Sequence, residues 1–171
     1  MYMLELDKRV NKSAIYNILQ ELINKYSFCK NIIIACIFKK SKILSYGISK
    51  PDIHVHSIKN NKLYSVHAEV DAIKNYINKY SKKERKQIGD VNMLITRYNK
   101  DCLLLSTQSC RYCIRSMNKF KSIKKLYYTK EDIIYESNFE NMYKNIDKYD
   151  CSSGDRRNKK NNKIFINKSE N

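Results

Sequence analysis

Along the first third of the chain, apolar side chains fall in two different rhythms. Val10, Ala14, Ile15, Ile18, Leu22, Ile23 and Tyr26 recur mainly at steps of three and four, which predicts an amphipathic helix over about residues 10–27. The rhythm then changes. Ile32 to Phe38 is an unbroken apolar run of the kind a strand buried on both faces requires, and Lys42 to Ser49 reads as its hairpin partner across Lys39, Lys40 and Ser41.

Residues 51–64 have no period and read as a loop. Helical spacing returns through Val70, Ile73, Tyr76, Ile77 and Tyr80, with Ser65 placed as an N-cap, and predicts a helix over about 67–80. Ser81 to Asp90 reads as a charged turn, Val91 to Tyr98 as a strand, and Leu103 to Leu105 as a short apolar stretch. Cys113, Ile114, Met117 and Phe120 mark a third helix that begins near Cys110. Lys125–Thr129 and Ile133–Tyr135 are strands joined by Lys130, Glu131 and Asp132. Parallel neighbours need a crossover of about a dozen residues, so a link this short makes the two an antiparallel hairpin if they pair. Phe139, Met142, Tyr143 and Ile146 predict a last helix within 138–150.

The chain has 171 residues, enough for one domain, here residues 1–150, followed by a polar basic tail over 151–171. Its net charge is +17, which invites a nucleic-acid reading. Lys, Asn, Ile and Tyr, all with AT-rich codons, supply nearly half of the chain, so coding composition accounts for much of that charge. The tail holds only six basic and two acidic residues, which leaves the excess spread over the domain rather than gathered in a stripe. No apolar run approaches the ~20 residues of a membrane span, and Glu5 interrupts the start before a signal sequence can form. An intracellular, cytoplasmic protein is expected, and its six cysteines read as metal ligands, catalytic groups or core residues rather than disulfides.

Chemistry concentrates at two helix starts. Cys110 and Cys113 stand three residues apart, so their sulfurs share one side of a helix, whose N-terminus favours the thiolates that bind metal. His67 can add a third ligand, and three protein ligands with water in the fourth position is the arrangement of a catalytic zinc. Glu69 follows His67 by two residues, close enough to move a proton at that water without binding the metal.

His67-Ala68-Glu69, followed 43 residues after the histidine by Cys110-Arg111-Tyr112-Cys113, resembles the zinc-dependent cytidine and deoxycytidylate deaminase superfamily, with its H-x-E and C-x-x-C signature. Val66 to Ile73 is similar to the motif helix of its nucleotide-deaminase branch, and the order of elements is similar over about residues 8–137. Pattern and resemblance together imply a three-layer α/β/α sandwich around a mixed central sheet of about five strands. The resemblance implies one zinc held by His67, Cys110 and Cys113, with Glu69 as proton shuttle. It also implies hydrolytic deamination of a cytosine nucleoside or nucleotide to the uracil form, and a homo-oligomer.

Two positions depart from the family pattern. Ser109 replaces the usual proline before the first cysteine and is expected to cap the helix through its hydroxyl. Ser49 stands where the family often has an asparagine that touches sugar or base, and a hydroxyl cannot reproduce both contacts of an amide. Ser49, Ala68 within the motif, and Tyr64, whose ring can stack on a pyrimidine, are the candidate substrate contacts; Tyr112 is placed similarly.

Other readings of these residues compete. The charge favours a tRNA or single-stranded nucleic-acid deaminase, or a weak nucleic-acid contact through the basic surface and tail. A zinc-stabilised module without activity would also use the cysteines. A thioredoxin-like C-x-x-C lacks its downstream cis-proline, because Pro51 lies upstream. A closed structural zinc could recruit His54 and His56 but leaves Glu69 without a role. Cys29, Cys36, Cys102 and Cys151 read as core or exposed residues.

Overall fold

The computed structural model describes residues 5–6, 12–26, 32–51, 65–99, 104–130 and 133–149. Ile32–Lys39 (β2) and Lys42–Ile48 (β3) form the expected antiparallel hairpin, with an irregularity between Ile37 and Phe38. β2 pairs on its other side with Val91–Tyr98 (β6), antiparallel, and β6 pairs with Ile123–Lys130 (β8), parallel. β8 and Ile133–Asn138 (β9) are antiparallel, as the short link required. Glu5–Leu6 (β1) adds a parallel edge to β9, and Leu104–Leu105 (β7) pairs with β6. The sheet order is β1-β9-β8-β6-β2-β3, so the five long strands are those expected and the two-residue strands are additions. Such short pieces carry too little periodicity to show in sequence.

Three layers result. Lys12–Tyr26 (α1) lays Ile15, Ile18, Leu19 and Leu22 on one face of the sheet, against Ile34, Cys36, Phe38 and Leu94. The opposite face carries Ala35, Ile37, Met93, Ile95 and Leu126 under Ala68–Lys79 (α2), Arg111–Phe120 (α4) and Phe139–Lys144 (α5). Alternate residues of β2 therefore feed two cores, which is why its apolar run is continuous. Each fully buried isoleucine there contributes about 1.5–3 kcal/mol.

Three local expectations are corrected. The charged segment after Ser81 is a helix, Lys82–Ile88 (α3): Ser81 Oγ accepts from the Glu84 amide, Glu84 accepts from the Ser81 amide, and Gly89 at φ 67° ends it. Ser65 is not an N-cap. It lies in Ser65–Val66 (β5), paired with Lys50–Pro51 (β4), and this extended pairing delays the helix so that His67 holds the cap position. The last predicted helix is cut short at Asn145, whose side chain donates to the Asn141 carbonyl, and only a 3₁₀ turn, Ile146–Lys148, follows.

α2 lies unusually close to β3. A Cβ on Gly47 would fall onto the backbone of Ala68 and Ala72, so only glycine admits the helix at this height. From that seat Asp71, Asn75 and Lys79, four residues apart, reach the outer edge of β3. Asp71 Oδ2 accepts from the Ile48 amide at 3.2 Å, Asn75 Nδ2 donates to the Tyr46 carbonyl at 2.8 Å, and Lys79 Nζ donates to the Leu44 carbonyl at 3.1 Å. Ser45 Oγ donates to the Ala72 carbonyl at 3.0 Å, and Lys50 pairs with Asp71 at 3.0 Å. One helix face thus blocks the sheet edge and fixes its own height and register over β3.

Candidate metal centre

α2 and α4 pack together on one face of the sheet and bring their N-terminal ends together. His67 is the cap residue of α2 and Cys110 that of α4, both with extended backbone and neither using its side chain to cap. The carbonyl of His67 accepts from the Asp71 amide and that of Cys110 from Ile114, so the backbone starts each helix while the side chains remain available for the centre.

His67 Nδ1 lies 3.2 Å from Cys113 Sγ and 3.5 Å from Cys110 Sγ. The three donor atoms all fall within 4.8 Å of one another. Tetrahedral zinc with its usual bonds to sulfur and nitrogen sets S···N separations at about 3.6 Å, so the group already has nearly the required span. The Cys113 thiol beside Cys110 pulls the Cys110 pKa down to about 4, and the same contact, with burial, pushes Cys113 well above the ordinary thiol range. Two adjacent sulfurs, one of them readily ionised, beside an imidazole nitrogen fit a divalent cation, whose binding releases thiol protons. His67, Cys110 and Cys113 form a group able to bind metal.

Glu69 is beside this group but not part of it. It is 5% exposed, and burial pushes its pKa upward. Ser109 Oγ donates to Glu69 Oε1 at 3.0 Å. The hydroxyl expected to cap α4 instead orients the carboxylate, because Cys110 holds the cap position and Ser109, buried at 2% exposure, has Glu69 within reach. This link between the motifs was not legible in sequence, since nothing in the spacing says which way Ser109 points.

The other candidates divide. Ser49 follows β3, half-buried, with its amide donating to the Ile33 carbonyl, at the end of the strand that faces the start of α2. Ala68 is fully buried in the core cluster under α2. Tyr64, His54, His56, Cys29, Cys102 and Cys151 lie outside the described residues. Tyr112 is 56% exposed, with its ring edge-on to His67 at 6.1 Å. Cys36 is a core thiol, its pKa pushed up to about 12 by burial. Among the described residues, no helix is long and apolar enough to cross a membrane.

No family model and no curated protein matches the chain. Among solved structures it is similar to the dCMP deaminase from the cyanophage S-TIM5. Against the apo form the identity is 15% and the TM-score 0.47, over 78% of this chain and 93% of that one. Against the same enzyme in complex with dCMP and dUMP the identity is 17% and the TM-score 0.47, over 82% of this chain and 95% of that one.

Proposed function

We propose that the chain is a zinc-dependent hydrolytic deaminase of a cytosine nucleoside or nucleotide. One observation carries the reading: two sulfurs and an imidazole nitrogen converge while a buried carboxylate stands beside them outside the ligand set, oriented by Ser109. A purely structural zinc has no use for that carboxylate, and closed sites take a fourth protein ligand. Among the described residues the group has three.

When bound, zinc supplies Lewis-acid activation of water near neutral pH. The remaining work falls to the chain. Ser109 donates to one Glu69 oxygen and leaves the other to take the proton of the attacking water. Water adds at C4 of the cytosine ring, and Glu69 delivers the proton to N3. As the C4–N bond breaks, Glu69 takes the proton of the hydroxyl added at C4 and carries it to the amine. Ammonia leaves and the C4 carbonyl of uracil remains, so atoms and charge balance. Glu69 is the catalytic group, and Ser109 is a positioning residue. Residues 1–150 would carry this chemistry, with 151–171 an appended tail.

The test is turnover by the full chain, loaded with zinc, against cytidine, deoxycytidine, dCMP and dCTP, read as uracil-form product and ammonia. At least one substrate is converted in a chelator-sensitive manner. Zinc-loaded protein that converts none of them contradicts the proposal.

A further inference from the structure

Among the described residues, folding gathers part of the basic charge that the sequence scatters. The β2–β3 turn, the C-terminal end of α2, the whole of α3, the end of α4 and the start of β8 all meet at one end of the molecule. Direct contacts fix this arrangement: Lys39 Nζ donates to the Ile88 carbonyl, Arg85 donates to the Ile77 carbonyl, and the Val91 amide donates to the Ser122 carbonyl. Lys40 and Lys42 on the turn, Lys82, Lys83 and Lys86 on α3, and Lys121 at the end of α4 are all exposed there. Lys40 and Lys121 sit in left-handed backbone, at φ 55° and 60°, in the tight turns that present them.

The acids at this end are engaged by other partners: among the described residues Glu84 is held by the Ser81 capping box, Asp90 pairs with Lys124, Glu136 with Lys125 and Glu140 with Lys144. Elsewhere Asp71 pairs with Lys50 and Asp147 with Arg111. Coding bias toward lysine raises the charge everywhere. It does not explain why six lysines at one pole have no acidic partner among the described residues.

We infer that this basic pole is a docking face for the phosphodiester backbone of nucleic acid. A repeating row of phosphates suits a row of ammonium point charges, and lysine, without the fork of arginine, gives contacts independent of sequence. Membrane docking would need an adjoining apolar face. The exposed large apolar side chains among the described residues are Ile77, Tyr112 and Tyr143, one on each of three helices. The twelve residues of α2 separate the pole from the metal centre by about 18 Å. The docking face and the metal centre are therefore separate surfaces of the molecule.

The experiment is fluorescence anisotropy of the full chain with a labelled oligo-dT of about 20 nucleotides and a duplex of equal length, between about 50 and 200 mM salt. If roughly four lysines engage phosphates, single-strand affinity falls about 60-fold over that range, a slope near −3. The triple variant Lys40→Glu, Lys83→Glu, Lys121→Glu loses at least tenfold in affinity at the lower salt and flattens the slope by about 2. A milder set, Lys42→Gln, Lys82→Gln, Lys86→Gln, moves both in the same direction and covers the case of a misfolded triple variant. Neutralising Arg156, Arg157, Lys159 and Lys160 to Gln leaves most of the binding. Absence of salt-sensitive binding, pole variants that bind like the parent, loss of binding through the tail alone, or preference for phosphatidylserine vesicles over both nucleic acids would each overturn the inference.

Discussion

Gly47→Ala puts a methyl group where the backbone of α2 already sits. An ideal Cβ there would lie 2.6 Å from the Asp71 carbonyl carbon, and closer to Ala68 and Ala72, against 3.4 Å for ordinary contact. The obstacle is backbone, not the tip of a flexible side chain, so α2 must withdraw by on the order of 1 Å. Overpacking alone costs about 1–3 kcal/mol. The same withdrawal stretches the bonds from Ser45, Asp71, Asn75 and Lys79 that join α2 and β3. Each is worth roughly 0.5–1.5 kcal/mol, so the expected loss is about 3 kcal/mol or more, a drop of about 10 °C in Tm for a chain of this size. Function is hit separately, because α2 carries His67 and Glu69 whereas the cysteines ride on α4. A relative shift of 1 Å is enough to cost about 100-fold in turnover. Circular dichroism melts and zinc content of the purified variant provide the two readings. A variant that melts within about 2 °C of the parent, with full zinc and turnover, would refute the close seating of α2 on β3 and the argument built on it.

Three further outcomes follow from the same contacts. Asp71→Ala strands the Ile48 amide and the Lys50 ammonium, and should lower the urea-unfolding free energy by about 1–3 kcal/mol while zinc content stays at parent level. Ser109→Ala removes the hydroxyl from Glu69 and should reduce kcat about tenfold with KM and zinc content little changed, whereas Ser109→Thr restores much of the rate. Ser81→Ala breaks the α3 capping box for a loss of about 0.5–2 kcal/mol, read by thermal melting, and leaves the metal centre untouched.

The sequence was most informative where a long period or a fixed spacing stands behind an element. The double-faced run of β2, the stripe of α1 and the short β8–β9 link each dictate their structure through burial or chain geometry. His67, Cys110 and Cys113 were legible because ligand chemistry restricts both residue type and spacing, and the fold brings them within reach of one ion. Ser81-Lys82-Lys83-Glu84 with Gly89 carried a capping-box signal for α3, obscured by the absence of buried side chains on that helix. The roles of Gly47 and Ser109 depend on which element passes overhead, a tertiary fact with no local pattern. The basic pole was hidden for a related reason: its lysines are scattered in sequence and become neighbours only when the strand and helix ends meet.

The central claim is that Glu69 moves protons at a metal it does not bind. Glu69→Gln keeps the shape of the side chain and its contact with Ser109 but removes the base. Zinc content by atomic emission and deamination of the best substrate, measured on the same preparation, separate the two roles. Parent-level zinc with turnover reduced by at least 100-fold is expected, the scale of a lost general acid–base. Full zinc with unchanged turnover would contradict it.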